Sequence, residues 1–208
     1  MSPVDFRLLL VTDRHQIHGR SLVTVLSHAI QAGVQAIQLR ERDLSTGELL
    51  ALVGDIQGVA RPGGVSLIIN DRVDLALALD LEGVHLRSDS LPSHSVRQII
   101  GSRRLIGVST HSAEDVRHAA QGCADYVVLG PIFDTPSKRS FGPPLGLELL
   151  ADVCRNSSIP VFAIGGITCE RVYEVRQAGA HGVAVIGALL TCDDIGAAVR
   201  EFTRALEM

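Results

Sequence analysis

Hydrophobic residues are concentrated in eight short runs along the chain, and most runs end at a glycine, polar or charged residue. Segments with the one-sided apolar spacing of amphipathic helices separate these runs. Short apolar runs that alternate with helices are typical of a parallel sheet covered by helices. Eight repeats of this unit predict an α/β fold, a single (βα)8 TIM barrel with a closed parallel eight-stranded sheet, over residues 1–208. The predicted strands are residues 8–12, 36–40, 67–71, 83–86, 105–109, 126–130, 161–166 and 182–187.

The segments between these runs predict helices with short connections. Ser45 and Ser112 are placed to cap two of them, and Glu48 completes a capping box with Ser45. One connection is longer, because Pro131–Leu145 carries four prolines in an otherwise tight pattern. Loops of this length are usually functional, so we expect this segment to contribute to a binding site. The predicted helices are residues 21–31, 45–60, 95–100, 113–120, 146–154, 168–178 and 193–206.

The composition argues against several classes of protein. The net charge is −4 and the basic residues are scattered, so no nucleic-acid partner is predicted. No window approaches the roughly 18 apolar residues needed to span a bilayer, so no membrane association is predicted. The four cysteines show no C-x-x-C spacing, which argues against a zinc site or a redox pair.

Polar residues at the strand ends are candidate site residues, because the chemistry of a (βα)8 barrel lies at the carboxyl ends of its strands. Gln38 and Arg40 project to the same side of the second strand, and Arg42 follows just beyond it. An amide and a guanidinium together suit a phosphate or a heteroaromatic ring. The alternative is solvated charge beyond a strand end, which an interior glutamine in an apolar strand does not favour.

A candidate metal ligand and a candidate hydroxyl group follow the next strands. Asp71, after Asn70, is a candidate magnesium ligand, since Mg²⁺ prefers carboxylate oxygens and takes others from substrate phosphates. The alternative is an ordinary helix cap. A second acid would strengthen the metal hypothesis, and Asp89 is the only candidate after the fourth strand. Ser109, in Ser109-Thr110-His111, either bonds a substrate or belongs to ordinary loop chemistry.

Glycine turns follow the last two strands and predict a phosphate site. Gly166, in Gly165-Gly166, and Gly187, after Ile186, let backbone N–H groups approach an anion closely. Barrels frequently hold a phosphate between these two loops. The alternative is that packing alone requires tight turns there.

The long loop offers a second candidate anion site. The hydroxyl groups of Thr135 and Ser137 and the ammonium of Lys138 are close together in sequence. They suit a phosphate, such as a leaving pyrophosphate. The alternative is a solvated loop.

These motifs together resemble the thiamine-phosphate synthase and thiazole tautomerase family over nearly the whole chain. The resemblance implies a cytoplasmic barrel enzyme that is commonly a homodimer. Synthases of this family join hydroxymethylpyrimidine diphosphate to thiazole phosphate and release pyrophosphate with the help of Mg²⁺. The most specific matching segments are Gln38-x-Arg40 and residues 69–76, 83–86, 130–138 and 163–167.

The resemblance also implies roles for individual residues. Asp71 would hold magnesium, with Asp89 as the candidate second ligand. Arg40, Ser109 and Lys138 are the catalytic candidates, and Arg42 lies among the substrate-binding ones. The pyrimidine substrate and its diphosphate would be held by Gln38, Arg40, Asn70, Ser109 and Lys138. The thiazole phosphate would be held by Thr135, Ser137, Gly166, Ile186 and Gly187.

Three positions depart from the synthase pattern, which has lysine at Arg42, an acidic metal ligand at Ser90 and serine at Gly187. Losing one of two carboxylates weakens magnesium binding unless Asp89 reaches inward. The segment from Arg40 to Arg42 is more similar to the tautomerase branch, which has a histidine where this chain has Pro131. We therefore predict synthase activity, with thiazole tautomerase and a non-catalytic or regulatory binder of thiamine precursors as the alternatives.

Overall fold

The computed structural model describes residues 4–136, 139 and 142–207. Eight strands form a closed parallel barrel in sequence order, and β8 pairs with β1. The prediction of a (βα)8 barrel is therefore confirmed, and each predicted strand run overlaps one of the strands. The strands are β1 Leu8–Val11, β2 Ala36–Leu39, β3 Ser66–Asn70, β4 Gly83–Leu86, β5 Leu105–Thr110, β6 Tyr126–Leu129, β7 Val161–Ile164 and β8 Gly182–Val185.

Helices cover the outside of the barrel. Two of them were not predicted, Val73–Ala78 and Gly187–Leu190, because six and four residues are too few to show a helical period. Within the described residues, no helix is both long enough and apolar enough to cross a membrane. The helices are α1 Leu22–Gln31, α2 Thr46–Ala60, α3 Val73–Ala78, α4 Ser93–Ile100, α5 Ala113–Gln121, α6 Gly146–Asn156, α7 Val172–Gln177, α8 Gly187–Leu190 and α9 Ile195–Glu207.

The predicted helix caps are present. Ser45 accepts a hydrogen bond from the Glu48 amide, and the Glu48 carboxylate accepts one from the Ser45 amide, which completes the capping box. Ser112 accepts from the amide of Asp115 in the same way. These caps fix where α2 and α5 begin, directly after two loops at the carboxyl ends of the strands.

Two apolar layers hold the barrel together, because successive strand residues point to opposite faces. Residues such as Ile37 and Val127 pack outward against the helices. Residues such as Leu9, Ile68 and Val128 fill the interior. The interior side chains at the carboxyl ends of β2 to β5 are the ones that turn polar.

Aromatic rings close the amino-terminal end of the barrel. Phe6, which precedes β1, lies edge-on to Tyr126 at a centroid distance of 5.9 Å and contacts Phe162 at 5.3 Å. All three rings are fully buried. The Phe6 carbonyl is 3.0 Å from Nε2 of His181, which ties this segment to the entrance of β8. The opposite, carboxyl-terminal end is the one that carries the polar groups.

Candidate active site

A paired amide lies inside the barrel at its carboxyl-terminal end. Gln38 Nε2 donates to Asn70 Oδ1 over 3.1 Å, which joins β2 to β3. Gln38 is only 4% exposed, while Asn70 is half-buried. With this bond made, Gln38 Oε1 and Asn70 Nδ2 remain as one acceptor and one donor. Such a pair suits the edge of a heteroaromatic ring.

Arg40 enters the site at a fixed position. Its backbone N–H donates to Thr12 Oγ1 over 2.9 Å, and the Thr12 amide donates to the Gln38 carbonyl. Thr12 is fully buried, so this link between β1 and β2 is shielded from water. Arg40 is half-buried, whereas Arg42 is exposed. The structure therefore places Arg40 at the mouth and Arg42 on the surface beyond it.

Glu41 ties together the loops that follow β1 and β2. Its Oε2 accepts from the backbone N–H of Arg14 at 3.1 Å and from Arg14 Nη1 at 3.4 Å. Arg14 also donates to both oxygens of Asp43, which raises the pKa of Arg14 and lowers that of Asp43. Glu41 is buried, and its Oε1 has no partner among the described residues. This anchoring holds the segment that carries Arg40.

Ser109 belongs to a hydrogen-bonded chain that runs into the barrel interior. His85 Nε2 is 3.0 Å from Ser109 Oγ, and His85 Nδ1 is 3.2 Å from Tyr126 Oη. Burial lowers the pKa of His85 to about 3, so its ring is neutral. Burial also raises the pKa of Tyr126, so its phenol keeps its proton. A Cβ atom at Gly107 would lie 2.5 Å from His85 Nδ1, so glycine is required there.

The surroundings of Asp71 differ from the predicted pair of acids. Ser90 Oγ donates to Asp71 Oδ1, and Arg87 Nη1 lies 3.8 Å from Asp71 Oδ2. Asp89 is exposed and is paired with Arg87, which lowers the pKa of Asp89. The hypothesis that Asp89 replaces the missing acid stays a prediction: in this structure its carboxylate is engaged by Arg87, and Ser90 is the side chain that reaches Asp71. Asp71 has φ +64°, a conformation that aspartate and asparagine adopt more readily than most residues.

One carboxylate is nevertheless enough for a magnesium ion that arrives with a phosphate ligand. The described residues contain no group of three or more histidine, cysteine, aspartate or glutamate side chains that could hold a metal ion. Mg²⁺ usually keeps several waters and is bound through one or two carboxylates together with substrate phosphates. The half-exposed Asp71 carboxylate and the Ser90 oxygen fit that donor set.

The glycine turn after β7 is required by packing. Gly165 and Gly166 have φ +94° and +66°. An added Cβ would lie 2.6 Å from Pro131 Cβ at the first position and 2.7 Å from the Asp134 carbonyl oxygen at the second. Packing therefore requires glycine at both positions of the turn after β7. This packing still leaves the backbone N–H of Gly166 available to a ligand.

Backbone N–H groups still support an anion site at this end. Within the described residues, the amides of Gly166 and Gly187 donate to no acceptor. Pairing of β7 with β8 brings the two turns to the same edge of the barrel. Ile186 packs against the interior cluster directly before Gly187. Because α8 has only four residues, a helix dipole adds little here, and an anion would be held by the individual N–H groups.

The long loop is held against the β7 turn by a residue that the sequence did not indicate. Arg171 Nη1 donates to the Gly166 carbonyl over 2.6 Å, and its guanidinium lies 4.5 Å from the ring centroid of Phe133. Thr135 is half-buried in this loop. The predicted residues Ser137 and Lys138 lie outside the described residues.

The structure thus brings most of the described candidates to one end of the barrel and adds several residues that sequence reasoning missed. His85 lies on the interior face of β4, where strict alternation could have indicated it, whereas Thr12 directly follows β1 and alternation with the interior residues does not single it out. Tyr126 reads as an ordinary core residue. Arg87 and Arg171 give no sequence signal, because only the folded chain shows what their guanidinium groups meet.

Comparison with known proteins agrees with this geometry. The family model described as thiamine monophosphate synthase matches residues 8–189. A thiamine-phosphate synthase from Roseiflexus sp. is 44% identical over 92% of this chain and 81% of the relative. One from Syntrophomonas wolfei is 40% identical over 98% and 97% of the two chains. The solved structure of a thiamine phosphate pyrophosphorylase from Pyrococcus furiosus superposes with a TM-score of 0.88, at 31% identity, over 97% of this chain and 95% of that one.

Proposed function

This chain belongs to the thiamine monophosphate synthase family, and from this premise we propose that it joins hydroxymethylpyrimidine diphosphate to thiazole phosphate. The C–O bond between the pyrimidine methylene and the diphosphate breaks, and its electron pair leaves with the pyrophosphate. The thiazole nitrogen then donates its lone pair to the methylene carbon. The step needs no protein nucleophile, so the enzyme's task is to orient two substrates and stabilise a departing anion.

The pyrimidine ring is proposed to lie against β2, β3 and β5. The free acceptor of Gln38 and the free donor of Asn70 support this placement, because a heteroaromatic edge can satisfy both. Ser109 lies on the interior face of β5 and adds a hydroxyl group. Arg40, with Arg42 further out, is proposed to face the diphosphate, where a guanidinium fork suits phosphate oxygens. Lys138 is proposed to neutralise the same leaving group.

The thiazole phosphate is proposed to bind between the turns after β7 and β8. The observation in favour is that the amides of Gly166 and Gly187 have no acceptor among the described residues while neighbouring strands place them at one edge. Ile186 would pack beside the bound phosphate, and the hydroxyls of Thr135 and Ser137 would complete its surroundings. The two substrates would then meet above the barrel interior.

Magnesium is proposed to be held by Asp71, with Ser90 as a neighbouring oxygen. When bound, the ion supplies positive charge to the departing diphosphate. Asp71 binds that charge through its carboxylate, and Arg87, 3.8 Å away, adds a fixed cation on the same side. Asp89 is not part of this proposal, because its carboxylate pairs with Arg87.

The observation that carries the proposal is the meeting of the Gln38–Asn70 amide pair and the paired glycine turns at one barrel end. The relatives are named as synthases, which supports this reaction over thiazole tautomerisation and over non-catalytic binding.

The test is a coupling assay with both purified precursors, with and without magnesium. We expect magnesium-dependent formation of thiamine phosphate. Arg40→Ala should lose much of this activity, whereas the control Arg103→Ala, an exposed residue at the other barrel end, should keep it. No product at high enzyme and high magnesium rejects the proposal. We further propose that the protein is a cytoplasmic homodimer, which sedimentation of the purified protein and fractionation of cells can test.

A further inference from the structure

Three side chains on neighbouring strands form one hydrogen-bonded chain from the barrel interior to its mouth. Tyr126 Oη, His85 and Ser109 Oγ are linked by contacts of 3.2 Å and 3.0 Å. Tyr126 and His85 are almost completely buried, whereas Ser109 is half-buried. Neither buried residue has a part in the proposed chemistry. Their arrangement nevertheless determines what Ser109 can offer a ligand.

The proton positions follow from counting donors and acceptors. Within the described residues, the nitrogens of the buried His85 ring contact only two hydroxyl groups and no carboxylate, so the ring is neutral and carries one N–H and one acceptor nitrogen. If Nδ1 carried the proton, it would donate to Tyr126 Oη, and the phenolic O–H would find no other acceptor among the described residues. A buried donor without an acceptor is a state that folded proteins avoid. The phenol therefore donates to Nδ1, and the proton of His85 lies on Nε2.

This tautomer settles the direction of the second bond. His85 Nε2–H donates to Ser109 Oγ, so the serine oxygen acts as an acceptor toward the interior. The serine's own O–H then points elsewhere, and within the described part of the chain it meets no acceptor. Ser109 lies near the carboxyl end of β5, so the direction left open leads toward the mouth of the barrel.

We propose that Tyr126 and His85 are positioning residues that fix Ser109 as a hydrogen-bond donor to an acceptor atom of the pyrimidine substrate, such as a ring nitrogen. This inference rests on the proposed function for the identity of the substrate. Packing supports the arrangement: a Cβ atom at Gly107 would collide with the Tyr126 ring and come within 2.5 Å of His85 Nδ1. Glycine at that position lets the chain of bonds form. The rings of Phe6 and Phe162 hold Tyr126 in place from the other side.

The first experiment reads the tautomer directly in the wild-type protein. Nitrogen-15 NMR of labelled histidine distinguishes a protonated from an unprotonated ring nitrogen. We expect protonated Nε2 and unprotonated Nδ1 for His85, and a changed tautomer population in Tyr126→Phe. A protonated Nδ1 in the wild type would overturn the proposal, whatever the protein's catalytic activity.

The second experiment is a double-mutant cycle on substrate binding. One hydrogen bond typically changes affinity about 3- to 10-fold. We expect Tyr126→Phe to weaken the binding of hydroxymethylpyrimidine diphosphate by this factor in calorimetry, with thiazole phosphate binding unchanged. In the Ser109→Ala background, Tyr126→Phe should have no further effect, because the phenol acts only through the serine. If the two substitutions weakened binding independently, so that their factors multiplied, the proposed Tyr126–His85–Ser109 relay would be refuted.

A third comparison keeps failure of the inference separate from failure of the proposed function. The phenyl analogue of the diphosphate lacks ring nitrogens, so its affinity should be the same for wild type and Ser109→Ala. If the pyrimidine compound binds but is not turned over, the proposed reaction fails while the relay can still hold. If turnover occurs and the phenyl analogue loses as much affinity as the substrate in Ser109→Ala, the relay is wrong and the reaction stands.

Discussion

Acidification should destabilise the folded protein through His85. Burial lowers the pKa of this histidine from 6.5 to about 3. In the unfolded chain the same group titrates near its ordinary value of about 6.5. Below that pH, the unfolded state binds a proton that the folded state does not, until the pH approaches 3. The stability is therefore complete above about pH 6.5 and is lost progressively as the pH falls through this window.

The size of the effect follows from the two pKa values. Between about pH 7.5 and about pH 5, His85 alone should lower the free energy of unfolding by about 2 kcal/mol. The assay is urea unfolding, followed by circular dichroism, of the wild type and His85→Gln at both pH values. The variant cannot titrate at this position, so we expect it to lose about 2 kcal/mol less than the wild type on acidification.

A second histidine provides the control for this comparison. Burial also lowers the pKa of His181, but that residue is only half-buried, so His181→Gln should recover a smaller part of the acid loss. Equal losses in the wild type and His85→Gln between the two pH values would refute the reasoning. They would mean that His85 is protonated in the folded protein, or that it is exposed to water.

Three further predictions concern the mouth. Asp71→Asn should abolish magnesium-dependent turnover, and asparagine tolerates the backbone φ of +64° at this position. Ser90→Asp should raise the affinity for magnesium. Unchanged affinity of Ser90→Asp in a magnesium titration would contradict the metal placement. Gly166→Ala should lower the free energy of unfolding by more than about 1 kcal/mol and raise the KM for thiazole phosphate. The control Gly47→Ala, which adds a Cβ in open space on α2, should leave stability about unchanged. Equal melting temperatures for the two variants would contradict this prediction. Glu41→Gln should lower the free energy of unfolding by about 1–3 kcal/mol in urea, because it weakens a charge-assisted hydrogen bond to Arg14. An unchanged free energy of unfolding would show that the Glu41–Arg14 contact does not stabilise the protein.

The barrel could be predicted because its signal is repeated eight times. Each strand is short and largely apolar, and most are followed by a glycine, polar or charged residue, so an error in one unit does not alter the whole. Two helices were missed for a local reason. α3 and α8 have six and four residues, which is less than two helical turns, and their positions are set by the loops they join.

The candidate site could be predicted only where it follows the strands. Gln38 and Asn70 stand out as polar residues on interior faces, so their approach to each other follows from alternation and parallel register. The surroundings of Asp71 could not be predicted, because Ser90, Arg87 and Asp89 lie in a loop whose side-chain directions no period fixes. The turn at Gly166 was ambiguous for another reason: packing requires glycine there, and anion binding would favour the same residue.

The segment before β1 has a consequence for how the protein is handled in the laboratory. Phe6 closes the amino-terminal end of the barrel and packs against Tyr126. Trimming the chain to start at residue 8 would remove Phe6 and let water reach His85. An amino-terminal truncation should therefore weaken substrate binding at the opposite end of the barrel.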